Sequence, residues 1–185
     1  EHYIGWFNSA PASTRLIIAP HEFDAARISA LRRMPEGGAI TLSELEAGQT
    51  PGEARCLIID CFGKLASLYR YADTALIGGG FGAGIHNINE AAVYGLPVVF
   101  GPRHEKFKEA TDLIQCGGGF CYTDRTTLDS ILDRLSTDTD CRAKAGQAAG
   151  DYVRSQLGAT DRIWNAAIAP LLSSDTDSDP KKRHS

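Results

Sequence analysis

The stretch Gly78–Pro102, "GGGFGAGIHNINEAAVYGLPVVFGP", puts five glycines into its first seven residues and then a histidine, an asparagine and a glutamate close behind. A loop without Cβ atoms lets backbone N–H groups come close to a phosphate, and a helix N-terminus behind it adds a favourable dipole. Gly78, Gly80 and Ala83 satisfy the spacing G-x-G-x-x-A, but that dinucleotide fingerprint needs its helix to begin inside the motif. Here the helical pattern starts near Asn87, and Phe100 and Gly101 stand where an acidic residue about 20 positions on should end a second strand. A dinucleotide-binding fold is therefore disfavoured. A sharp strand-to-helix turn accounts for about two or three of the glycines and leaves the rest unexplained.

The polar residues after the loop have two readings. Asn87 as an N-cap with Glu90 three residues later resembles a capping box. Alternatively Glu90, one turn into the helix, turns its carboxylate across the strand ends, where it can accept hydrogen bonds from both hydroxyls of a ribose. His86, at the end of the loop, would face the same crevice.

Outward from this centre, apolar runs of strand length alternate with helical patterns. "RLIIAP" (15–20), "AITLSEL" (39–45), "CLIID" (56–60), "TALIGG" (74–79), "PVVFG" (97–101) and "GGFCY" (118–122) read as strands. Between them, "HEFDAARISALRRM" sets Phe23, Ala26, Ile28 and Leu31 near one helical face, "KLASLYRYA" follows the third strand, and helices span about Asn87–Tyr94 and Glu105–Gln115. From Thr126 to Leu172 the pattern is helical with breaks near Asp138 and Gly158. Strands that are continuous apolar runs, separated by helices, predict an α/β fold with a doubly wound, mainly parallel Rossmann-like sheet.

The 185 residues suffice for one well-buried domain, and 43% hydrophobic with 23% charged residues is ordinary globular composition. A net charge of -4 supplies no basic field for nucleic acid. No apolar run approaches the roughly 18 residues of a membrane span. The opening "EHYIGWFNSAPAS" lacks an initiator Met and enters in mid-pattern, which reads as a piece of something longer. The five cysteines lack the ligand spacing of a zinc site and read as reduced thiols. The tail "SSDTDSDPKKRHS" carries no apolar residue and is expected to be disordered.

In doubly wound sheets ligands sit outside the carboxyl ends of the strands. Those ends carry "APHE", "DCFGKL", the glycine loop and "GPRHEKF", which bring His21, Lys64, His86, Arg103 and His104 to one rim. Gly63 ahead of a helix, with Lys64 in its first turn, resembles a small anion site, because a cation there is unfavourable unless something negative lies near. A rim of cationic or neutral donors on an acidic chain predicts an anionic ligand.

With "LIIAPHE", "IIDCFGKLASLYRYADTALIGGGFG" and "KFKEATDLI", the glycine-loop stretch resembles the carboxyl-terminal half of the 3-deoxy-D-manno-octulosonic acid (Kdo) transferases, glycosyltransferases of GT-B fold, over roughly residues 15–168. The resemblance implies that residues 1–14 lead in from an amino-terminal half, 15–172 form the nucleotide-sugar donor-binding domain and 173–185 are a disordered tail. It implies CMP-Kdo as donor and a lipid A precursor as acceptor. The acceptor would be met at the cytoplasmic face of the bacterial inner membrane, whose surface the full-length protein would touch, with no nucleic-acid partner. Carried onto this sequence, the donor-binding set is His21, Gly63, Lys64, Gly79, Gly80, His86, Asn87, Glu90 and Arg103, with Glu90 on the ribose. The catalytic base is expected in the amino-terminal half, so this chain holds no catalytic residue, metal or cofactor. The resemblance implies inverting transfer, and since no Asp-x-Asp stands at a strand end, transfer is expected to be metal-independent. Two positions depart from the family pattern: many members have an acidic residue at the Lys64 position, and an Arg where Pro20 precedes His21. The alternatives are a donor domain for a UDP- or GDP-sugar and a non-catalytic nucleotide-binding module in which Glu90 is only a cap.

Overall fold

Each of the six apolar runs contributes a short strand, and every strand pairing is parallel. The computed structural model describes residues 2–22, 24–82, 84–158 and 164–168. The expected tail 173–185, Phe23 of the second helix and Ala83 of the glycine loop lie outside the described residues.

The first three strands, β1 (Leu16–Ile18), β2 (Ala39–Thr41) and β3 (Cys56–Ile58), form one ladder in the order β1-β3-β2. The second ladder runs β4 (Ala75–Leu76), β5 (Val98–Phe100), β6 (Gly119–Cys121) in chain order. The parallel α/β architecture is thus present, with its hydrogen bonding divided between two three-stranded ladders.

β5 explains why the strands read as unbroken apolar runs. Val98 and Phe100 join a core with Ile77, Ile85, Ile88 and Leu113, whereas Val99 faces a second core of Leu128, Leu132 and Leu135. All three residues are fully buried, so no position along the strand can be polar. A third core, Ile4, Ile18, Leu31, Cys56 and Ile58, supports the first ladder. Burial there pushes the Cys56 thiol up to about 12.

The lead-in segment is structured. Residues His2–Ser9 form α1, which packs against the seventh helix and buries Ile4 and Phe7. Phe7 lies beneath the Arg55 guanidinium, 4.5 Å from the ring centre, and Trp6 donates its indole N–H to Asp133 at 2.8 Å. α2 (Ala25–Arg32) is capped by Asp24, whose carboxylate accepts from the N–H groups of Ala26 and Arg27. Its expected apolar face is only half realised: Leu31 is buried and Ile28 half-buried, but Ala26 is exposed.

Other boundaries differ from the sequence reading for local reasons. "AITLSEL" is a strand only as far as Thr41, where a capping box with Glu44 starts α3 (Leu42–Glu46). "KLASLYRYA" gives α4 (Leu65–Leu68) and a 3₁₀ turn at Tyr69–Tyr71. α5 is Asn89–Ala92, and α6 (Lys108–Cys116) starts later than expected because Phe107 is still extended. α7 (Arg125–Thr137) and α8 (Thr139–Gln156) break at Asp138, which also caps α8 by accepting from Cys141 N–H. Of the helical pattern to Leu172, Trp164–Ile168 is a π-helical turn. Among the described residues no helix is long and apolar enough to cross a membrane.

Candidate functional site: the glycine loop and the strand ends

The glycines of the central loop divide into two groups. Gly79, Gly80 and Gly84 have φ of 88°, 82° and 143°, values that L side chains rarely adopt. A Cβ on Gly79 would lie 2.3 Å from Gly84 O, and one on Gly80 would lie 2.6 Å from Gly101 Cα. These three are needed by the turn itself, which Gly79 and Ile85 close as an antiparallel bridge. Gly78 and Gly82 are different. A Cβ on Gly82 would meet nothing within 4 Å, and one on Gly78 would make only ordinary contact, 3.5 Å from His86 Cδ2. Packing therefore requires three of the five, and the other two leave exposed backbone open to a ligand.

Beside this open backbone the segments that follow β1 and β4 come together. His21, three residues past β1, stacks on His86 with ring centres 5.6 Å apart and planes inclined by 24°. Both side chains are exposed, so two imidazoles from distant parts of the chain form one surface next to Gly78. His21 also borders a cavity of about 380 Å³ at the end of β1, lined by Tyr3, Pro20, Glu22, Arg27 and Leu31 among others. Tyr3 belongs to α1, so the lead-in helix contributes to the wall; the signal for it was the apolar spacing of Tyr3, Trp6 and Phe7.

Asn87 and Glu90 pair with each other instead of forming the capping box. The helix begins two residues later than expected, with Ile88 at the cap position and no cap bond from its own side chain. Asn87 Oδ1 accepts from Asn89 N–H at 3.1 Å, and Asn87 Nδ2 donates to Glu90 Oε1 at 3.0 Å. The amide thus orients an exposed carboxylate in the first turn of a four-residue helix. Burial, and after it the Glu90 charge, push the Tyr69 phenol upward.

The remaining rim residues are already engaged. Arg103 donates its backbone N–H to Gly80 O at 2.9 Å and its guanidinium to Gly82 O at 3.0 Å, so it braces the glycine loop. Lys64 pairs with Glu46 at 3.1 Å. The negative partner that a first-turn cation implied is supplied by the chain itself. His104 turns inward, edge-on to Phe100, with Nδ1 buried and without a hydrogen-bond partner. The expected rim of cationic or neutral donors is therefore reduced to the His21–His86 pair, with Arg103 as a brace. Gly63, φ 77°, makes the turn that leads into α4 and is exposed. Among the described residues no three His, Cys, Asp or Glu side chains gather as a metal would need.

The fold that carries these residues has counterparts among solved structures. The fold matches the C-terminal CMP-Kdo binding domain of WaaA from Acinetobacter baumannii with a TM-score of 0.69, 18% identity, and coverage of 84% of this chain and 80% of that one. Sucrose-phosphate synthase from Thermosynechococcus elongatus matches at 0.51 over 95% of this chain and 51% of its own. The chain has the fold of the carboxyl-terminal domain of a GT-B glycosyltransferase. In sequence it is 32% identical over 150 residues to the 3-deoxy-D-manno-octulosonic acid transferase of Bordetella pertussis, covering 80% of this chain and 34% of the relative. The enzyme of the same name from Chlamydophila psittaci is 30% identical over 112 residues, 60% of this chain and 26% of the relative. The chain is a homologue of the Kdo transferases, and it spans about a third or less of the length of these curated relatives. No family model matches it.

Proposed function

We propose that this chain is the donor-binding domain of a Kdo transferase, holding CMP-Kdo for transfer to a lipid A precursor in lipopolysaccharide assembly. The observation that carries this reading is the stacked His21–His86 pair beside the open Gly78 backbone, with the Glu90 carboxylate oriented by Asn87 on the helix that follows the loop. The imidazoles and the backbone N–H groups of the glycine loop supply donors for a phosphate, as does the turn at Gly63. Glu90 is left with carboxylate lone pairs for the hydroxyls of a ribose, a pairing that phosphate-only ligands lack. Gly79 and Gly80 shape the loop, Asn87 aims Glu90, and Arg103 holds the loop against the end of β5. Lys64 reaches an anion only by leaving Glu46, an exchange that an exposed ion pair permits.

In the whole enzyme an acceptor hydroxyl attacks the anomeric carbon of the donor and CMP departs with inversion. The donors of this domain then stabilise charge developing on the leaving phosphate, without a metal ion. The proton acceptor and the membrane-facing surface belong to the amino-terminal half, and the enzyme works at the cytoplasmic face of the inner membrane. Residues 15–172 make up the donor domain. Calorimetric titration with CMP tests the reading: measurable binding that Glu90→Gln weakens about tenfold or more supports it. Binding unaffected by Glu90→Gln removes the ribose role.

A further inference from the structure

The turn at Gly63 is anchored at both ends to one small helix. Past β3, Ile59 N–H still bonds to Ile18 O at 2.8 Å, so the first ladder holds the chain as far as residue 59. At the next residue the attachment passes to α3. Asp60 Oδ1 accepts from Ser43 N–H at 3.1 Å and Oδ2 accepts from Ser43 Oγ–H at 2.5 Å. Four residues on, Lys64 returns to the last residue of the same helix through Glu46. α3 is fixed in turn by the Thr41–Glu44 capping box and by the Glu44–Arg32 ion pair at 2.7 Å to α2.

The two anchors differ in strength. Lys64 and Glu46 are both about half exposed, with side-chain exposures of 49% and 56%, so that pair exchanges easily in water. Asp60 receives two charge-assisted bonds from one residue, which fixes direction as well as distance. Burial works against its charge, yet the Ser43 hydroxyl and N–H hold its carboxyl below the usual carboxylate range. A bare carboxylate beside an anion-binding turn would repel the ligand. Here each oxygen already accepts a proton donor from Ser43, which suits Asp60 to mounting the turn and not to touching the ligand.

We infer that Asp60, acting through Ser43, is a positioning residue for the nucleotide site, holding the 61–63 turn where its backbone faces the donor. The role rests on the donor-binding reading above. It is tested on the full chain with CMP as the probe, by calorimetry and by hydrogen exchange of the amides at 61–64. Asp60→Asn and Ser43→Ala each weaken CMP binding by about three- to tenfold, the range for an effect worth one ordinary hydrogen bond, and speed exchange in the turn. Ser43→Thr keeps the hydroxyl and restores both properties, which a general loss of stability would not do. Where Asp60→Asn costs the fold, as seen by circular dichroism, the Ser43 pair carries the test. Unchanged CMP affinity in Ser43→Ala, or a Ser43→Thr chain as weak as Ser43→Ala, overturns the positioning role. No CMP binding by the unaltered chain overturns the donor reading itself, and this role with it.

Discussion

Gly78 and Gly80 sit two residues apart, and the fold asks different things of them. Gly80, at φ 82° and with Gly101 Cα 2.6 Å from where its Cβ would stand, has no room for a methyl group. Gly80→Ala is expected to cost about 2 kcal/mol or more, read as a lowered unfolding midpoint. Gly78→Ala meets only His86 Cδ2 at 3.5 Å, so it leaves the midpoint nearly unchanged and weakens CMP binding by crowding the ligand. A large loss of stability from Gly78→Ala, with CMP affinity retained, would contradict the assignment of that backbone to a ligand. The surplus of glycines was legible in the sequence, because a turn needs only some of them. Which ones were surplus was not legible, since that depends on the approach of Gly101 and Gly84 in space. The same holds for the partners of the rim residues. Nothing near Lys64 in sequence points to Glu46, 18 positions away, and nothing near His21 points to His86.

Helices and strands were legible where burial alone sets the pattern. β5 needed only its unbroken apolar run, since both of its faces are covered. "AITLSEL" misled because the same residues satisfy a strand by composition and a helix start by Thr41-x-x-Glu44, and the capping box prevailed. α1 was missed because its stability comes from distant partners: Arg55 over Phe7, and Asp133 for the Trp6 indole. Phe7→Ala is expected to destabilise the chain by about 3–5 kcal/mol, measured by denaturant unfolding. A cost below 1 kcal/mol would show α1 to be a detachable lead-in. The helix ends also predict acid behaviour. Hydrogen bonds from Thr127 and its neighbours hold Asp124, the cap of α7, below the usual carboxylate range, and the Lys108 ammonium and the Tyr152 hydroxyl do the same for Asp112. A carboxyl depressed in the folded state stabilises it above the unfolded value, and that contribution is lost as pH falls through the folded value. Thermal stability is therefore expected to be flat down to about pH 5 and to fall below about pH 4. Asp124→Asn, which keeps a capping oxygen, shallows that decline.

At the scale of the whole molecule, the segments that follow β1 and β4 come together where His21 stacks on His86, and the proposed donor site lies beside that contact. The reading assigns binding to this chain and proton abstraction to a partner half, so the chain alone is expected to bind nucleotide and to transfer no Kdo. Detectable transfer to a lipid A precursor by these 185 residues would overturn that division. The central claim is the identity of the donor, and side-by-side calorimetric titration of the chain with CMP, UMP, UDP and GDP tests it most directly. The account predicts that CMP binds most tightly and that Glu90→Gln weakens it. Tighter binding of UDP or GDP than of CMP would contradict the account.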